Sequence, residues 1–294
     1  MASNKEYTLI NSPELQNKKI ACLTLDLEQD YGDLLDEPSY EGLEHILELI
    51  NFFKKMNLPL TCFVQGSLLE THPKQIKQLT ELNVEFELHS YSHPAPAKMD
   101  TSLEVKRGKE AYQKFFGNDP LGYRSPLGFF NTKTDFEILS LSGFKFDSSV
   151  CPSLRLGVFN NLRKPLKPYL VNSHKIVEFP ISVFSSIIRI PLALSYVRLL
   201  GKPYLCLLKR FNLPSLCVFV FHLHDLFKLD SATKIPLRRV SFIYREIFKR
   251  IYQTEQENTL HILDELVSSL NEKSYTFARL VDVYNIITAG EYQR

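Results

Sequence analysis

His72-Pro-Lys-Gln-Ile-Lys-Gln-Leu-Thr-Glu-Leu82-Asn-Val84-Glu-Phe-Glu-Leu88-His89-Ser-Tyr-Ser-His93 passes from one hydrophobic period to another. Ile76 and Leu79 lie three residues apart, which predicts a helix over 72–82; the run 84–88 then reads as a short strand, and polar chemistry begins where it stops. His89 and His93 are four apart, so both rings converge on one ion if the chain turns helically after His89. Two neutral imidazoles and a carboxylate from elsewhere leave a divalent metal an open position for water or substrate, as in a catalytic rather than a structural site.

The same alternation extends in both directions. Residues 20–27 form an apolar, strand-like run, and 40–56 carry Leu43, Ile46, Leu47, Ile50 and Phe53 at helical spacing. A strand at 58–66, a helix at 103–116, a short strand at 122–125, a helix at 134–141 stopped by Gly143, and strands at 144–148, 176–179 and 216–223 follow. Repeated strand–helix units imply a parallel sheet with covering helices, either doubly wound or closed into a barrel. Both architectures place chemistry beyond the carboxyl ends of the strands. Asp26, Glu28, His89, Arg124, Asp147 and His224 all fall at such ends. Two further helices are expected at 236–252 and 256–270, the second with Leu260, Leu263, Leu266, Val267 and Leu270 as its apolar face. No repeat or Gly/Ser linker divides the chain, so residues 1–294 are expected to form one domain.

At 294 residues, 44% hydrophobic and 23% charged, the composition is that of a globular protein with ample core. A net charge of +2 and the lack of an aromatic-interleaved basic stripe argue against a nucleic-acid partner. Cys22, Cys62, Cys151, Cys206 and Cys217 lack paired short spacing and read as buried free thiols of a reducing compartment. The start, Met-Ala-Ser-Asn-Lys-Glu-Tyr7, has no apolar signal core, which points to the cytoplasm. No run is long and apolar enough to span a bilayer. Residues 179–224, however, include Arg189, Arg198, Lys202, Lys209 and Arg210 among apolar side chains, and from 180 to 224 there is no Asp or Glu. That composition suits either a packed insertion or peripheral contact with an anionic membrane. The oligomeric state has no signature here.

Asp26, Glu28 and Asp30 end the first strand, and three acids so close are best tolerated beside a cation. Arg124, at another strand end, needs a carboxylate to receive it. Asp147 suits a turn cap. His222 and His224 alternate in Val218-Phe-Val-Phe-His-Leu-His-Asp225 and so share one side of a strand, with His224 nearer the loop.

These segments, in this order, resemble the polysaccharide deacetylase family, carbohydrate esterase family 4 or NodB homology domain, over about residues 19–228, with 236–294 packed on the same core. His89-Ser-Tyr-Ser-His93 is similar to the family's H-[ST]-x-x-H motif, Arg124-Ser-Pro-Leu-Gly128 to R-x-P-x-G, Leu223-His-Asp225 to its catalytic-histidine segment, and Thr61-Cys-Phe-Val-Gln-Gly66 to its second strand. The first motif departs from T-F-D-D-G, since Leu27 occupies the second Asp; Asp26-Leu-Glu28 fits the D-x-E variant, with Asp30 as the reserve ligand. Cys151 stands where the family often has Trp.

The resemblance implies a distorted (β/α) barrel of about seven parallel strands. It implies metal-dependent removal of an N-acetyl group from an amino sugar of a polysaccharide, glycolipid or lipid-linked precursor, with zinc the first choice of metal. Glu28, His89 and His93 would be the ligands, Asp26 the base and His224 the acid. Arg124 would orient Asp26, Asp147 would orient His224, and the oxyanion would rest on the metal and a backbone N–H beside the third motif. Hydrolysis of a C–N bond in a small cyclic amide, or metal-free carbohydrate binding, are the alternatives.

Overall fold

A computed structural model describes residues 6–132, 134–155, 159–237, 242–253 and 259–291. Seven strands form the continuous parallel run, β1 (Ile20–Leu27), β2 (Leu60–Val64), β3 (Val84–Leu88), β4 (Gly122–Tyr123), β5 (Phe146–Asp147), β6 (Ile176–Glu178) and β7 (Leu216–His222), and Thr276–Phe277 pairs parallel with the start of β1 off that run. Their order in space is β7-β1-β2-β3-β4-β5-β6. The two ends are joined by the chain after β6: Ser182 N donates to the Val218 carbonyl (3.1 Å), Val218 N donates to Ser182 Oγ (2.9 Å), and Ala193 bridges Val220. An irregular segment thus does the work of a regular closing ladder, and the barrel is distorted there. Tyr169–Val171 pairs antiparallel to β6, and Tyr7–Leu9 pairs antiparallel to Tyr169–Val171.

All eight residues of β1 are buried, as a central strand covered on both faces requires. The period of two sorts them. Leu23, Leu25 and Leu27 face outward into the layer packed by α1 (Ile46–Met56) and its neighbours, each contributing about 1.5–3 kcal/mol by leaving water. Cys22, Thr24 and Asp26 alternate with them and share their side with Thr61 and Phe63 of β2, register partners of Thr24 and Asp26. α1 buries Ile46, Leu49, Ile50 and Phe53 and stops at Asn57 in the left-handed conformation (φ 50°). Leu47, expected on its apolar face, is instead exposed.

Helices α2 (Gly66–Thr71), α3 (Pro73–Leu79), α4 (Thr101–Phe116) and α5 (Asp135–Leu141) follow β2, β3 and β4 in turn. α2, which has only Leu68 and Leu69 as buried apolar side chains, is too short for a periodic signal. Between β6 and β7 lie α6 (Leu194–Leu200) and α7 (Lys202–Arg210), and α8 (Leu223–Leu226) begins directly after β7.

The C-terminal part is more broken than expected. The run 236–252 contains α9 (Phe242–Phe248) followed by a wider turn at Lys249–Gln253, and 238–241 lie outside the described residues, as do 256–258 of the second expected helix. α10 (Leu260–Glu272) buries Leu263, Leu266, Val267 and Leu270, while Leu260 is only partly buried. A further helix, α11 (Leu280–Glu291), packs Leu280, Val283 and Ile287 against Ile20, Phe63 and Phe146, at the end of the barrel where β1 begins. The opposite end carries the polar residues. No helix among the described residues is long and apolar enough to cross a membrane.

Candidate active site

Asp26 is the penultimate residue of β1 and Glu28 the residue just past its end, so both side chains emerge on one side while Leu27 is fully buried in the core. His89 follows β3 immediately. Its Nε2 lies 2.9 Å from Glu28 Oε2, and its Nδ1 is 2.9 Å from the Arg124 carbonyl. A carbonyl accepts only, so Nδ1 carries a proton, and Nε2 is the ring nitrogen that faces Glu28.

His93 reaches the same oxygen, Nε2 to Oε2 2.7 Å. The route is not a helical turn, as the spacing suggested, but a loop in which Ser90 (φ 57°) and His93 (φ 52°) are both left-handed. Glu104 of α4 holds that loop, accepting from Tyr91 N (2.9 Å), Ser92 N (2.7 Å) and Ser92 Oγ (2.8 Å). Tyr31 and Leu127 are left-handed as well. Each such residue costs about 1–3 kcal/mol, and their gathering around one cluster is typical of a functional site.

Glu28, His89 and His93 therefore converge, all three buried. Despite the 2.7 Å approach, neither ring nitrogen of His93 makes a hydrogen bond among the described residues. Lone pairs aimed at a shared point without hydrogen-bond alignment are what a cation requires, and the donor set of two imidazoles and a carboxylate fits a divalent metal. Burial works against the charge on Glu28, but the adjoining His93 and His89, with His222 further off, hold its carboxyl well below the usual range. Asp30, the reserve ligand, is engaged elsewhere: it accepts from Ser39 Oγ (2.8 Å) and Gly42 N (3.2 Å) and pins the loop leading to α1.

Arg124 is 1% exposed, with Nη1 donating to Asp26 Oδ1 (2.6 Å) and Thr24 Oγ1 (2.8 Å), Nε to the Ser148 carbonyl (2.9 Å) and Nη2 to Ser148 Oγ (2.8 Å). Its guanidinium also lies over the Phe63 ring at 4.1 Å. One oxygen of Asp26 is thus fixed, and the other, Oδ2, lies 3.7 Å from His222 Nε2.

The structure brings His222 nearer to the carboxylates than His224, one ring nitrogen of which lies within 4.8 Å of a Glu28 oxygen. β7 ends at His222, in register with Asp26, and α8 then rotates His224 off the strand, so the two do not continue one alternating row. His222 Nε2 is 3.9 Å from Glu28 Oε1, and its Nδ1 is 2.7 Å from Asp225 Oδ2. Burial opposes its protonation, yet Asp225, Glu28 and Asp26 together raise it to about 9. His224 stacks behind it, ring centroids 4.7 Å apart, and its Nδ1 accepts from Tyr31 N at 3.2 Å. Burial and the neighbouring His222 push it down to about 4.

Asp147 does not serve His224. Its oxygens accept from Ser149 Oγ (2.7 Å) and Ser149 N (3.0 Å), and burial raises both it and its neighbour Glu178, Glu178 well above its usual value. Asp225, Glu104 and Glu178 were not anticipated. Glu104 was legible, since it shares the helical spacing of the buried Gly108, Ala111 and Tyr112. Of the basic residues in 179–224, Arg198 is turned inward and donates to the His224 and Asp225 carbonyls (2.9 and 3.0 Å), bracing α8. Four cysteines are buried and Cys206 is exposed.

Residues 17–146, which carry Asp26, Glu28, His89, His93 and Arg124, match the polysaccharide deacetylase family. That match takes in less than half of the chain. A peptidoglycan deacetylase of Helicobacter pylori is 32% identical over 125 residues, a match spanning 42% of this chain and 42% of that protein. The fold of a Mycobacterium smegmatis protein described as a polysaccharide deacetylase superposes over 98% of this chain and 96% of its own, with TM-score 0.66 and 18% identity. A Bacillus anthracis member of carbohydrate esterase family 4 described as a pseudoenzyme is also similar in fold, with TM-score 0.51 and 13% identity over 90% of this chain and 65% of its own. The fold is thus shared with a protein described as a polysaccharide deacetylase and with one described as a pseudoenzyme, and the site itself has to separate those cases.

Proposed function

We propose that this chain removes an N-acetyl group from an amino sugar with the help of a divalent metal, zinc by donor set, held by Glu28, His89 and His93. The observation that carries the reading is the convergence of those three buried side chains, with both ring nitrogens of His93 free of any hydrogen bond among the described residues. When bound, such an ion polarises the amide carbonyl and lowers the pKa of water.

The chain's own residues supply the rest. Asp26, anchored through Oδ1 by Arg124, keeps Oδ2 available to take a proton from the attacking water. The water oxygen bonds to the acyl carbon as the carbonyl pair moves onto oxygen. His222, protonated and held through Nδ1–H by Asp225, donates from Nε2 to the nitrogen as the C–N bond breaks, since an amine leaves only once protonated. Acetate and the free amino sugar result. The relative in Helicobacter pylori, described as acting on peptidoglycan, supports an N-acetylated glycan as the substrate class.

Purified protein should release acetate from an N-acetylated amino sugar only with metal bound. Asp26→Asn should retain the metal and lose acetate release by about 10²–10⁴-fold, whereas His89→Ala should lose both, as read by elemental analysis beside an acetate assay. Equal metal loss in the two variants would overturn the division of roles.

A further inference from the structure

We propose that the substrate is an anionic amphiphile, an N-acylated amino sugar bearing a hydrocarbon chain and a phosphate. The chain would enter the cavity beside Glu28, and the phosphate would be met by Arg155. The amide part of this statement rests on the hydrolytic reading above; the apolar part rests on the cavity alone.

Asp26, Glu28, His89 and His222 line a cavity of 480 Å³. Beyond that polar corner Leu127, Phe159, Ile181, Leu199, Ile247 and Phe248 make most of an apolar wall, interrupted by Asp33, Ser195 and the hydroxyls of Tyr196, Tyr244 and Tyr252. A glycan chain laid against the apolar side chains would leave hydroxyls unpaired, at about tenfold or more in affinity for each. A hydrocarbon chain loses nothing there and gains by leaving water. Most of this wall comes from the Leu154–Arg155 and Phe159–Asn160 hairpin, α6, α9 and the Lys249–Gln253 turn, all outside the residues 17–146 that match the family. The matched part thus carries the candidate metal cluster, and the part beyond it carries most of the apolar wall.

One cation stands in that wall. Arg155 also lines the cavity, with Tyr196 and Tyr252 on the same lining. Its Nη1 reaches the Leu127 carbonyl at 3.4 Å, and no carboxylate pairs with it among the described residues. Arg124, the other arginine of the lining, is consumed by Asp26, Thr24 and Ser148. A guanidinium facing an apolar cavity is matched by a ligand anion, and phosphate suits its fork of donors.

Alkyl phosphates of four to ten carbons, titrated calorimetrically into the metal-loaded full chain, should bind about fourfold more tightly per added methylene until the cavity is filled. Arg155→Gln should weaken every member about tenfold and keep that slope, while Leu199→Gln should flatten the slope. The same phosphates dissolved or held in phosphatidylcholine vesicles separate a free ligand from a membrane-held one, and chain-dependent binding in either form supports the proposal. Affinity independent of chain length overturns it. Acetate release from alkyl phosphodiesters of N-acetylglucosamine keeps the two readings apart: chain-dependent binding without acetate overturns the hydrolytic reading alone, and acetate release indifferent to the alkyl chain overturns the amphiphile alone.

Discussion

His222 and His224 are two residues apart and chemically identical in sequence, yet their surroundings divide them. His222 has a carboxylate on each side, Asp225 at 2.7 Å on Nδ1 and Asp26 and Glu28 at 3.7 and 3.9 Å on Nε2, and its proton is held accordingly, up to about 9. His224 is buried behind it, spends Nδ1 on the Tyr31 amide and is neutral near pH 7. His222→Asn should therefore lower kcat by about 10²–10⁴-fold, the range for loss of a general acid, with metal content unchanged. His224→Asn should stay within about tenfold in kcat and show its effect as a lower unfolding midpoint, since it removes packing and one hydrogen bond. Single-turnover kinetics and denaturant titration of both variants check the assignment; a collapse of kcat in the His224 variant alone would return the role to that residue.

At the scale of elements, short strands do most to aim the site, and they are held by close packing rather than by long ladders. β4 has two residues, Gly122 and Tyr123, and delivers Arg124 directly beyond its end. Gly122 is pressed against the Phe146 ring of β5, so that a Cβ there would overlap it. Gly122→Ala should cost about 1–3 kcal/mol by forcing that ring or the strand aside, and urea titration should show the lower midpoint. α2 and α4 cross at a similar constraint, since a Cβ on Gly66 would sit 3.0 Å from the Gly108 backbone. That crossing sets where Glu104 meets the 89–93 loop. α2, α8 and the two-residue strands away from the central run escaped sequence reading because they have too few residues to show a period, whereas α6, α7 and α11 escaped it despite their length.

Over the whole molecule, the barrel is stacked along its axis from apolar to charged. α11 closes one end, where Glu85 accepts from Thr61 Oγ1 (2.6 Å) and from Val281 N (2.9 Å) at the start of that helix. Burial raises Glu85 to about 7 from 4.5, against the pull of Thr61 and Arg279, with Asp282 adding to the rise. The folded state therefore holds a proton that the unfolded chain releases between about pH 4.5 and 7. Stability contributed by this group is full at low pH and falls as pH rises through that window, by roughly 3 kcal/mol in total. Glu85→Gln, which keeps the acceptor, should flatten that fall in unfolding free energy measured from pH 4.5 to 7. Glu87, Asp147 and Glu178, also raised by burial, keep the remaining slope.

Local periodicity was enough to order the strands and helices, because a buried parallel strand is a short apolar run and a covering helix repeats near 3.6. It was enough also to single out Asp26, Glu28, His89, His93 and Arg124, since each lies at or just past a strand end and a parallel barrel collects strand ends on one face. Sequence alone did not divide His222 from His224, pair Asp225 with His222, seat Asp147 against Glu178, or turn Arg198 inward. Those depend on where β7 stops and on its register against β1, from which it is separated by almost two hundred residues. The apolar cavity lies further still from the sequence pattern, because its wall is assembled from α6, α9 and a hairpin that meet only in the folded chain. Spacing along the chain carries the identity of the candidate ligands; contact through space decides which neighbours set their charge and what can lie beside them.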